Sequence, residues 1–117
     1  MATVSGSKTT LDSPNARVYS WTAIGNGDDG SPLEAHDHAD RSVQVIGTFG
    51  SGGTLVLEGS NDGTNWVTLT DPQGNDVSFT AAGIEQVQEI TRYMRPNCTA
   101  GDGTTDLDVI MFMRAAK

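Results

Sequence analysis

The chain has 117 residues, enough for one domain and too few for two independent cores. Fifteen acidic against seven basic residues leave a net charge of −8, which argues against binding to nucleic-acid phosphates or an anionic membrane and favours solubility at high concentration or a basic protein partner. The single cysteine, Cys98, excludes an intramolecular disulfide, and the N-terminal residues show neither a basic leader nor an apolar run of membrane-spanning length.

From Ala2 to Asn15 the chain is polar, with Val4 and Leu11 its sizeable apolar groups. The expectation is an N-terminal arm over residues 1–16, followed by a β-sandwich domain over residues 17–117. Val18 to Ile24 has the aromatic and β-branched content of a strand. Gly25 to Asp40 reads as a loop, of a length at which loops are often functional. Ser42 to Phe49 alternates, with Val43, Val45 and Phe49 on one face and Gln44 and Thr48 on the other, where Ile46 joins the polar set. Thr54 to Ser60 points Leu55 and Leu57 inward, and the glycine-rich turn from Gly50 to Gly53 predicts a hairpin between these two strands.

After Asn61-Asp62-Gly63, a strand is expected over Trp66 to Thr70. Asp71-Pro72-Gln73-Gly74 then has the residues of a tight turn, and Asn75 to Thr80 gives a short strand around Val77 and Phe79. Ala81 to Thr91 fits helical and strand spacing alike, and its β neighbours favour a strand. Pro96 within Tyr93 to Thr99 predicts an edge strand or a bulge. In the last strand, Leu107, Val109, Met111 and Met113 face one way while Ile110 and Phe112 face the other. A strand apolar on both faces is central or forms an interface. The expected fold is all-β: one sandwich or jelly roll of about seven or eight short antiparallel strands.

The sequence offers little chemistry. His36 and His38, in Glu34-Ala35-His36-Asp37-His38-Ala39-Asp40, would point the same way if the segment were extended. They are the candidate metal ligands, but a metal site needs three or four, so no metal and no cofactor are expected. Asp28-Asp29 and Asp102, Asp106 and Asp108 lack the spacing of a calcium loop. No nucleophile elbow or phosphate-binding loop occurs, no catalytic residue is assigned, and the chain is expected not to be an enzyme. Trp21, Trp66, Tyr19 and Tyr93 suit either a sugar-binding platform or a core, and the core is favoured for both tryptophans.

Val43-Gln44-Val45-Ile46-Gly47-Thr48-Phe49 and Leu57-Glu58-Gly59-Ser60-Asn61-Asp62-Gly63-Thr64-Asn65-Trp66-Val67-Thr68-Leu69 resemble a family of small tailed-bacteriophage virion proteins. Thr91 to Pro96 and Gly101 to Leu107 extend the likeness. The resemblance implies a β-sandwich capsid decoration (cement) protein, made in the host cytoplasm and carried on the virion. Its expected partners are the major capsid protein and its own copies, as a dimer or trimer, with no nucleic acid and no membrane. A tail- or fibre-associated module, with glycan binding, is the alternative. The residues expected to contact partners are Thr3, Val4 and Leu11 of the arm, Leu33, His36 and His38 of the long loop, and Ile110 and Phe112 of the last strand.

Overall fold

A computed structural model of the chain describes residues 2–115. They form twelve strands: β1 (Thr3–Val4), β2 (Gly6–Thr9), β3 (Ala16–Ile24), β4 (Asp29–Gly30), β5 (Leu33–Glu34), β6 (Asp40–Thr48), β7 (Thr54–Ser60), β8 (Val67–Thr68), β9 (Ser78–Phe79), β10 (Gly83–Gln86), β11 (Tyr93–Ala100) and β12 (Asp106–Arg114). Seven of these run four residues or longer. Two sheets result. One has seven strands along the path β1-β4-β11-β7-β8, with β5 beside β11 and β9 beside β7; the other has five, in the order β10-β6-β12-β3-β2. The fold is all-β, as the alternation requires.

The core lies between the sheets. Val43 and Val45 of β6, Leu107, Val109, Met111 and Met113 of β12 and Trp21 of β3 face Leu55 and Leu57 of β7 and Met94 and Cys98 of β11, all buried. Each large aliphatic side chain so enclosed stabilises the fold by about 1.5–3 kcal/mol. The Trp21 indole N–H donates to the carbonyl of Ser31 at 3.0 Å, so its one polar atom is satisfied.

The hairpin expected between β6 and β7 does not form. β6 pairs with β10 and β12, while β7 pairs with β11, β8 and β9, so the chain crosses from one sheet to the other between Thr48 and Thr54. The alternation was read correctly, but the two inward faces oppose each other across the core instead of lying side by side. Interactions with the turn before β12 hold the crossover. The Asp102 carboxylate accepts the Ser51 N–H at 2.8 Å, and the Thr105 hydroxyl donates to the Phe49 carbonyl at 2.8 Å. Hydrogen bonds from the Thr104 hydroxyl first, then from the N–H groups of Ser51 and Thr104, hold the Asp102 carboxyl down at about 2. Gly47 takes a φ of 118°, where a Cβ would strike the Asp106 carbonyl oxygen.

Three other expectations need correction. Pro96 lies not on an edge but in β11, flanked by β7 on one side and by β4 and β5 on the other, and the register shift comes later, between Cys98 and Ala100. Its partner Leu57 donates its N–H to Val77 and accepts from Leu69, so that pair makes no mutual hydrogen bonds. The nitrogen of Pro96 therefore faces the gap between β5 and β4, where no donor is needed. Of the segment from Ala81 to Thr91, strand β10 covers Gly83–Gln86 alone. The stretch expected as an arm lies on the sandwich: β1 pairs in parallel with β4, and β2 pairs with β3 at the edge of the five-stranded sheet. Its backbone pairing supplies most of the attachment, with Val4 packed against the core.

Candidate functional site

The register of the five-stranded sheet sets its outer face. One row runs Thr9, Val18, Phe112, Ser42 and Gln86 across β2, β3, β12, β6 and β10. The next runs Ser7, Ser20, Ile110, Gln44 and Ile84, and Asp108 opposite Ile46 begins a third. Phe112 is 44%, Ile84 61% and Ile46 39% exposed, which is high for side chains of this size. Charge lies toward the ends of this face: Asp106, opposite Thr48, shares the outward parity of Asp108 and Ile110 and is exposed. The Asp108 carboxylate accepts the N–H of Ala23 at 3.1 Å, and Asp40 pairs with Arg114 at 3.2 Å at the far end. Ala23 holds a φ of 61° in the irregular stretch where Trp21 and Ile24 oppose Val109 and Leu107, so Asp108 caps a strained backbone instead of presenting a bare charge. A depression of about 330 Å³, lined by Asp40, Arg41, Ser42, Gln86 and Arg114, lies directly beside Phe112.

Of the residues expected to meet partners, the structure brings Ile110 and Phe112 together on this face and disperses the rest. Thr3 and Val4 belong to the seven-stranded sheet, where the Thr3 hydroxyl donates to Asp29 at 2.7 Å and Val4 packs on the core. Leu11 is half-buried beside Lys8 and Arg17. Leu33, at 3% exposure, is a core residue and is unavailable to a partner. His36 is exposed beside Glu34, while His38 is buried, with Nδ1 2.7 Å from Asp37 and no hydrogen-bond partner at Nε2 among the described residues. The two histidines diverge because the segment turns, the His38 N–H donating back to Ala35, where an extended chain would have aligned them. Nor do the four aromatics form one platform: Trp21 is fully buried edge-on to Tyr19, and Trp66 lies outside the core beneath the Arg95 guanidinium, 4.2 Å away. The turn before it is built by Asp62, whose carboxylate accepts the N–H groups of Thr64 and Asn65, each at 2.8 Å. Those bonds and the Asn65 and Ser60 side chains hold that carboxyl far below the usual range.

Arg41 escaped notice in the sequence. It is 2% exposed and donates to the carbonyls of His38 and Ala35 at 2.7 Å each and of Thr91 at 2.8 Å. Burial pushes its pKa down, and the carbonyl dipoles take the place of a carboxylate. Position alone could have found it, since Arg41, Val43 and Val45 share one parity along β6.

No family model matches the chain, and no curated protein does. Solved structures do. The SPBc2 prophage-derived protein YomS superposes with a TM-score of 0.63 at 12% identity, over 89% of this chain and 98% of that one. The Schizosaccharomyces pombe Cnp3 cupin domain gives a TM-score of 0.50 at 6% identity, over 95% and 60%. The fold is cupin-like. Recombinant oxalate oxidase, solved in complex with glycolate, gives a TM-score of 0.50 at 13% identity, over 94% of this chain and 51% of that one. That likeness overturns the expectation that the chain is not an enzyme. The exclusion rested on missing motifs, and an oxidase built on the same fold removes its ground without assigning a reaction.

Proposed function

We propose that the chain is a structural virion protein of a tailed bacteriophage, one that decorates or cements the capsid by binding its own copies and the major capsid protein shell. The apolar centre of the outer face of the five-stranded sheet, with Phe112, Ile84 and Ile46 exposed, is the observation that carries this reading. An apolar face rimmed by polar groups marks a contact surface. Two further points support it. The Gly59-Ser60-Asn61-Asp62-Gly63 to Trp66 string resembles small phage virion proteins, and the fold matches a prophage-derived protein over nearly the whole of both chains. The remaining acidic surface suits a basic patch on the shell.

The test is co-sedimentation of purified chain with capsids that lack it, together with immuno-gold labelling of complete particles. Saturable attachment to heads is expected. Label confined to tails would replace the decoration reading with that of a tail- or fibre-associated module.

A further inference from the structure

Resting on the assembly reading above, we propose that a second copy of this chain covers the outer face of the five-stranded sheet, packed face to face about a twofold axis.

Charge favours this occupant. The chain carries −8, so two copies repel over most of their surface, and a basic partner would be drawn to the acidic parts. The centre of this face escapes both effects: Asp108 is engaged by the Ala23 N–H and Asp40 by Arg114, while the exposed Asp106 stands at the end of β12. Two acidic chains can approach over this centre without bringing bare carboxylates together.

The polar chemistry is also self-complementary. A twofold contact sets one patch against itself, so each group must suit a copy of its own kind. Ser7, Ser20, Ser42, Thr9, Gln44 and Gln86 each carry both a donor and an acceptor, and can pair with their own kind. Shape follows the same rule. Phe112 projects next to a depression of about 330 Å³ on the same face, so each copy offers both a knob and a hole.

Size agrees as well. Five strands spaced about 4.8 Å apart, averaging seven residues at about 3.4 Å each, give a face of about 600 Å². A pair would bury about 1,200 Å² in total, at the lower end of specific, stable interfaces.

Light scattering of the purified full chain, alone and without capsids, tests this. The wild type is expected at twice the monomer mass, and Phe112→Arg at the monomer mass. Ile84→Lys, on the edge strand β10, repeats the test should Phe112→Arg fail to fold. Val67→Arg, at a 65% exposed position of the seven-stranded sheet, should leave the dimer intact. A wild type that stays monomeric well above the concentrations used for capsid attachment overturns the proposal, as does a dimer that survives both charged variants. If the wild type is monomeric and Phe112→Arg abolishes capsid attachment, the shell occupies the face; the dimer falls while the decoration reading stands. If the wild type is dimeric but never attaches to capsids, the decoration reading falls and the dimer stands.

Discussion

On the outer face of the seven-stranded sheet, Arg95 pairs with Glu58 at 2.9 Å and Asp29 at 3.4 Å, Asn97 donates to Glu58 at 3.2 Å, and the Arg95 guanidinium covers Trp66. On the outer face of the five-stranded sheet, Val18, Ile110, Phe112, Ile84 and Ile46 stand among serines and glutamines. Both faces come from the same alternation, with every second residue turned from the core. They differ in the cost of removing water. Docking on the first face would strip solvent from charges already satisfied by one another, a penalty the partner could hardly offset. Docking on the second removes water from apolar groups and neutral polar groups, which favours association. One face is finished in solvent, and the other keeps large apolar groups there.

The sharpest way to break this comparison is to loosen the frame that keeps the faces apart. Arg41 ties β6 of the five-stranded sheet to the segments around Ala35 and Thr91, which flank β5 and β11 of the other. Arg41→Leu leaves the His38 and Thr91 carbonyls unpaired, Ala35 keeping the His38 N–H, and should cost about 2–4 kcal/mol, read as a fall in the denaturation midpoint. An unchanged midpoint would mean that the carbonyls find other partners and that Arg41 is no staple.

A smaller effect is expected on the charged face alone. Glu58→Ala removes a half-buried acceptor from Arg95 and Asn97 and should cost about 1 kcal/mol, with the dimer mass unaltered. Denaturant titration and light scattering on one sample measure both quantities. Loss of the dimer would show that the two faces are not independent.

The smallest effect belongs to Ala23. Its φ of 61° suits glycine, so Ala23→Gly should stabilise the chain by about 0.5–1 kcal/mol, visible as a slightly higher melting temperature. A lower one would mean that the strain is already relieved by the Asp108 hydrogen bond.

Alternation along the chain revealed which residues face inward, and therefore the core and the outward pair Ile110 and Phe112. It did not reveal which strands are neighbours. Val43 with Val45 and Leu55 with Leu57 read identically whether their strands pair side by side or face each other, and a glycine-rich connection serves both arrangements. Ile84 was obscured because Gly83–Gln86 is too short to show a period. Arg41 was obscured by its chemistry, since a cation at an inward position counted against burial, although four carbonyls were within its reach. His38 turned on a single bend that no spacing rule anticipates, and Trp66 on the guanidinium of a residue far along the chain.

β12 lies between β6 and β3 although it follows all the other described strands in the chain. Until it arrives, the five-stranded sheet exists as two separate halves, β10 with β6 and β2 with β3. Closing it requires pairing between strands far apart in the chain, a slow event in folding. Ile110 and Phe112 arrive on that strand, so the sticky surface is assembled in the same step that seals the interior. The outward pair and the buried methionines of β12 therefore take their places together.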